Sequence, residues 1–288
     1  MQTFEGLEPW LILRYDDAKA VLLDDSRFSI DPTRPGFPEK TAGFKATIGQ
    51  EFFGDRSTTC FMNATTAEEA AQAGEELYDY LSALLKAKER SPADDMISAL
   101  AAEYRAGNLT REQAFDMGRL MLVAGHETTA NQIALSCLAL LGHEPQLDDL
   151  KSDASILGNS VDELLRYLSV AHLGRRRAVL EDVDIRGHQI CAGEGVIVAN
   201  NVADPDPRVF PDPHKLDLRR PNARANLAFG YGIHQCIGQQ LSRVELQVIH
   251  GALWRRFPSM EFAVDLKDIR FKSDAVIYGV WELPVDTR

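Results

Sequence analysis

Along most of this chain apolar residues return every three or four positions, and in a few short stretches every second position. Ala18, Val21 and Leu22 predict a short helix from Asp16 to Leu23. Leu77, Leu81, Leu84 and Leu85 predict a longer one from near Thr66 to about Glu89, opened by Thr66 and Glu69 at capping-box spacing. Ser91 as N-cap and Pro92 in the first turn predict the next helix, which ends at Gly107. Thr110 and Gln113 repeat the capping spacing, and the periodic pattern then continues to Leu141, ahead of Gly142 and Pro145. A helix of some 31 residues is roughly 46 Å long, enough to cross a whole domain. Val161 to Leu168 lies in a further helix. Leu241, Val244, Leu246, Val248, Ile249 and Leu253 predict the last one, from near Ile237 to Phe257-Pro258. Between these the pattern changes. Residues 1–14 read as a hairpin turning at Glu5–Pro9, and Ala178–Leu180, Val183–Ile185, His188–Ile190 and Val196–Ala199 read as strands, with a turn at Arg186-Gly187. Phe28–Gln50 and Asp204–Pro221 are rich in breakers and read as irregular. The expected fold is mainly α with a small β portion, in a single domain over 1–288.

The charge balance narrows the function. A net charge of -12 and a pI near 5.1 argue against nucleic acid as a partner. Four scattered cysteines (Cys60, Cys137, Cys191, Cys236) form no disulfide framework, which suits a reducing compartment. The opening residues Met1–Gly6 lack a basic region and an apolar run, so a cytoplasmic location is expected. The most apolar long window, Leu120–Leu141, holds His126, Glu127, Asn131 and Gln132, which predicts a buried helix and no membrane span.

Chemistry concentrates at Phe229-Gly230-Tyr231-Gly232-Ile233-His234-Gln235-Cys236-Ile237-Gly238. Its glycines permit a tight turn and a close backbone approach. Cys236 sits at the mouth of the last predicted helix, where unpaired N–H groups and the positive end of the dipole favour a thiolate. Taken alone, such a cysteine is more often a small buried hydrophobe than a ligand. No second cysteine stands at zinc spacing, and no Gly-Lys-Ser/Thr follows to hold a phosphate. The joint pattern Phe-x-x-Gly-x-His-x-Cys-x-Gly resembles the haem-binding loop of the cytochromes P450, in which a cysteine thiolate is the proximal iron ligand.

The resemblance extends further. Ala124-Gly125-His126-Glu127-Thr128 matches the central-helix signature of P450s, where an adjacent acid and alcohol relay the protons that reductive cleavage of dioxygen requires. Glu163-Leu164-Leu165-Arg166 is similar to the family's Glu-x-x-Arg, a structural pair that locks the meander; Lys215, Arg219 and Arg220 are candidates for its meander partner. Arg177 and His234 align with contacts to the haem propionates. The resemblance therefore implies a haem b (iron protoporphyrin IX) ligated by Cys236, bound through Arg177, Phe229, Gly230, His234 and Gly238, with Glu127 and Thr128 as catalytic residues. It implies a monooxygenase acting on a small organic substrate, with electrons from NAD(P)H through a reductase and a ferredoxin or flavodoxin. Arg219, Arg220, Arg224 and Arg243 form the expected basic face for an acidic donor. The family's Asp-x-Pro-x-His-x-x-x-Arg stretch is missing, and residues about 49–51 bridge an apparent deletion of several helices. A partly truncated P450-like fold follows, with a haem-binding remnant or a nitric-oxide reductase-like P450 as alternative functions. Thr33-Arg34-Pro35-Gly36-Phe37 resembles a subgroup that includes the latter enzymes.

Overall fold

The computed structural model describes residues 8–38, 67–273, 275 and 277–287. The elements are β1 (Trp10–Ile12), α1 (Tyr15–Leu23), β2 (Phe28–Ser29), α2 (Ala67–Arg90), α3 (Met96–Arg105), α4 (Arg111–Leu141), α5 (Glu144–Ser152), α6 (Leu157–Tyr167), β3 (Arg175–Val179), β4 (Val183–Ile185), β5 (His188–Ile190), β6 (Gly195–Val198), the short α7 (Asn200–Ala203), α8 (Gln239–Arg256), β7 (Glu261–Phe262) and β8 (Val285–Asp286). The mainly helical architecture with a small sheet portion agrees with the apolar periodicity. The described residues fall into two compact units, residues 67–127 in one and residues 8–38 with those from 128 onward in the other.

In the first unit, α2 and α3 pack Leu85 against Leu100 and Ala101, and Ala114 joins them from the start of α4. The expected start of α3 is corrected. Asp95, rather than Ser91, is the N-cap, and its carboxylate accepts the Ser98 N–H at 2.9 Å. Asp95 caps better because a carboxylate also complements the helix dipole. The capping box of α4 is present as expected: Gln113 N–H donates to Thr110 Oγ1 at 3.1 Å, and Thr110 N–H to Gln113 Oε1 at 2.8 Å. The box expected at Thr66 and Glu69 falls partly outside the described residues. The middle of α4 is not the buried segment expected. Ala114 and Phe115 near one end and Leu135 and Leu140 near the other are buried, whereas Met121 and Leu122 are 38% and 43% exposed.

In the second unit a sheet of order β1-β6-β3-β2 carries one core, with Val179, Val196 and Val198 packed on Val21, Leu22, Phe210 and Leu227. β1 pairs parallel to β6, Trp10 opposite Val196. Its described pairing is therefore with a remote strand, and the first arm of the expected hairpin lies outside the described residues. The second core joins α5, α6 and α8 through Leu147, Leu150, Leu164 and Trp254. Helix α5 was not expected from the sequence. Pro145, read as a stop, instead sits in the first turn of α5, where a missing N–H costs nothing. The turn between β4 and β5 is as expected, with Arg186 and Gly187 at φ 56° and 82°.

Candidate active site

Helix α6 is the support from which the site is built. Glu163 and Arg166 are 0% and 1% exposed. Arg166 holds both carboxylate oxygens of Glu163, Nε to Oε2 at 2.7 Å and Nη2 to Oε1 at 2.9 Å. Of the three candidates for the meander partner, Arg220 is the one: its Nε bonds Oε1 and Oε2 of Glu163 at 3.1 and 3.0 Å. The remaining guanidinium nitrogens of Arg220 donate to the carbonyls of Pro211, Asp212 and Lys215. Asp217 N–H completes Glu163 at 3.1 Å. A buried ionic cluster is tolerable only when every lone pair and proton is used, and this one approaches that condition.

From the meander the chain enters the cysteine loop. Phe229 packs beside Val161, Leu165 and Leu246, and the Arg243 guanidinium lies 4.6 Å from the centre of its ring. Arg243 is oriented by Asp162, Nε to Oδ1 at 2.8 Å. Gly230 N–H donates to the Leu227 carbonyl at 2.8 Å, and Cys236 N–H to the Phe229 carbonyl at 2.9 Å, so the loop closes on itself. Gly230 and Gly232 take φ of 75° and 79°, where glycine is strongly favoured. Both also face close neighbours: a Cβ on Gly232 would meet the Leu22 carbonyl of α1 at 2.5 Å, and one on Gly230 would meet Arg175 Nε at 2.7 Å. Cys236 and His234 are exposed, and Gly238 is the N-cap of α8.

Arg177 is 5% exposed on β3 and donates to the Arg176 carbonyl at 2.8 Å. Burial, with the adjacent Arg175 charge, pushes its pKa down to about 10. Glu127 and Thr128 are half-buried in α4. Gly125 has open space where a Cβ would be. The expected basic face does not form. Arg220 and Arg243 are buried, Arg219 pairs with Asp149 and Asp153, and Arg224 shares Asp162 with Arg243. Each charge is spent on carboxylates of this chain.

The sequence reading overlooked Asn200 and Asp204. Both are buried, at 3% and 1% exposure, and both reach Leu227 beside the loop. Burial pushes the Asp204 carboxyl up to about 7. The Asp-Pro that follows Ala203 was read as a loop breaker, and no local pattern marks its carboxylate as buried.

The family model for cytochrome P450 matches residues 139–277. Cytochrome P450 CYP105Q4 of Mycobacterium marinum is 33% identical over 99% of this chain and 88% of its own length. The chain belongs to the cytochrome P450 family. The alignment with that relative runs over 367 positions, more than the 288 residues of this chain, so the relative carries internal segments that this P450 lacks. The bridging point expected at residues 49–51 lies outside the described residues. The crystal structure of GfsF superposes with a TM-score of 0.85 at 33% identity, covering 98% of this chain and 91% of that one. A Streptomyces fradiae protein named 20-oxo-5-O-mycaminosyltylactone 23-monooxygenase is 41% identical over 82% of this chain and 56% of its own length. This P450 is an enzyme of the monooxygenase class.

Haem is the family's cofactor, and the residues present fit it. Among the described residues no group of three or more His, Cys, Asp or Glu is arranged to hold a metal ion. Arg177 is buried on β3, and among the described residues its side chain donates to a backbone carbonyl, not to a carboxylate. A buried cation such as Arg177, with no carboxylate partner at hand, is suited to receive a carboxylate of a ligand. No helix among the described residues is long and apolar enough to cross a membrane.

Proposed function

We propose that Cys236 ligates the iron of a haem b through its thiolate, and that the enzyme inserts one oxygen atom of dioxygen into a small organic substrate. The observation that carries this reading is the cysteine loop: an exposed thiol at the mouth of α8, in a turn closed by the Phe229 carbonyl, with the half-buried Arg175 guanidinium against Gly230. When bound, haem supplies the activation of dioxygen, with the thiolate as electron-donating ligand. Arg177 and His234 bind its carboxylates. Phe229, Gly230 and Gly238 hold the loop that presents Cys236. Glu127 and Thr128, adjacent in α4, take protons from solvent and pass them toward the reacting oxygen. Electrons come from NAD(P)H through a reductase and a ferredoxin or flavodoxin, in the cytoplasm and within a single P450-like domain.

A ferrous–CO spectrum tests the ligation. Wild type should show the red-shifted Soret band of thiolate-ligated haem; Cys236→Ala should lose it, and Cys137→Ala and Cys191→Ala should keep it. A wild type without that band removes the thiolate assignment. Thr128→Ala should keep the band and release more peroxide per electron consumed, and unchanged coupling would count against the relay. A second reading, a haem-binding homologue without turnover, is favoured by the missing internal segments and by the exposed apolar side chains Leu241, Val244 and Val248 on α8. Product formation with a reconstituted redox partner separates the two.

A further inference from the structure

Strand alternation sends Arg175 and Arg177 to one face of β3 and Arg176 to the other. Arg176 lies over the Phe37 ring, 5.7 Å from its centre, and Arg177 is the proposed haem contact. Arg175 has a different set of neighbours. Its Nη2 donates to the Ala228 carbonyl at 2.7 Å. Its Nε occupies the space under Gly230, where a Cβ would approach to 2.7 Å.

The residue before Ala228 is gripped as well. Asp204 Oδ1 accepts the Leu227 N–H at 2.7 Å, and Asn200 Nδ2 donates to the Leu227 carbonyl at 2.8 Å. Three side chains, from β3 and from α7 and its C-cap, therefore hold three backbone groups of Leu227-Ala228. That dipeptide leads directly into the turn that closes at Gly230 and Cys236. The Arg175 charge is attracted to both Cys236 and Asp204, although burial disfavours it overall.

Resting on the haem-thiolate reading, we propose that Arg175 is a positioning residue for the cysteine ligand. It anchors the Ala228 carbonyl and the Gly230 turn, and so sets where Cys236 stands. Its fixed positive charge also favours the reduced form of the site, because reduction adds a negative charge nearby.

Wild type, Arg175→Gln and Arg175→Lys are compared as full chains, with and without haem. Hydrogen exchange on the haem-free chain reads the anchor directly. In Arg175→Gln the Gly230 and Cys236 amides should exchange about tenfold to a hundredfold faster, the worth of one charge-assisted hydrogen bond. With haem, transfer to apo-myoglobin should accelerate by a similar factor, and the reduction midpoint should fall. Arg175→Lys keeps the charge but loses the planar fork. It should hold the midpoint while its amides still exchange faster. Unchanged exchange at Gly230 and Cys236 in Arg175→Gln would overturn the proposal. If that variant does not fold, wild-type exchange in Arg175→Lys overturns it equally. A wild type lacking the red-shifted CO band would sink the haem reading instead, while the exchange contrast still decides whether Arg175 holds the loop.

Discussion

On one face of α8, Arg243, Leu246, His250 and Trp254 are buried, at 6%, 2%, 1% and 4% exposure; on the opposite face Leu241, Val244 and Val248 are 61%, 56% and 64% exposed. Ile237, just before the helix, continues that second stripe at 95% exposure. The buried face packs on α6 and the core around Leu140, and Arg243 adds a bond to Asp162. Apolar residues on both sides suit a helix covered on both sides. The described chain supplies one cover. The support of the cysteine loop and the surroundings of its far side are thus separable: the described chain supplies the first, and the relative has internal segments that this chain lacks.

The largest expected effect comes from the supported side. Arg220→Ala removes one partner from the buried Glu163 cluster and strips donors from three carbonyls. It should cost about 3–5 kcal/mol, read from urea unfolding followed by far-UV circular dichroism. A loss near zero would mean that the meander is held by something other than this cluster.

The two faces can be set against each other with the same chemical change. Leu246→Ala should cost about 2–5 kcal/mol, as core truncations do. Leu241→Ala, on the exposed face, should stay within about 0.5 kcal/mol of wild type. Equal losses in the same denaturation assay would show that the exposed face is covered in solution, and the comparison would fail.

A smaller effect belongs to His250 on the buried face. Burial pushes its pKa down to about 4 from 6.5. A histidine depressed in this way contributes stability that is fully present above its unfolded value and is lost as pH falls toward the folded one. Between pH 7 and pH 5 the loss should be on the order of 2 kcal/mol. Asp204 acts in the opposite direction. Its folded value of about 7 lies above its unfolded one, so its contribution is present at low pH and fades as pH rises toward 7. The measurement is therefore the difference between wild type and His250→Gln at each pH. Parallel stability profiles of the two proteins would exclude the titration.

Much of the fold was legible because its signals are local. The capping box of Thr110 and Gln113, the length of α4, the turn at Arg186-Gly187 and the strand positions of β4 and β5 depend on residues close in sequence, and each appears where expected. The start of α3 and the existence of α5 were misread because a breaker such as Pro92 or Pro145 can end one helix or begin another, and local pattern leaves the choice open. The same contrast runs through the candidate site. The residue types of the cysteine loop, the Glu163–Arg166 spacing and the Ala124–Thr128 signature are properties of the sequence alone.

Only the tertiary structure chose Arg220 over Lys215 and Arg219 as the partner of Glu163, and turned the expected basic face into ion pairs within the chain. It also brought Asn200, Asp204 and Arg175 to Leu227 and Ala228 across 23 to 53 residues of sequence. A charged side chain advertises its charge in the sequence. Which opposite charge or carbonyl it meets is decided by long-range packing, because burial makes an unpaired charge too costly and the fold determines which partner lies within reach.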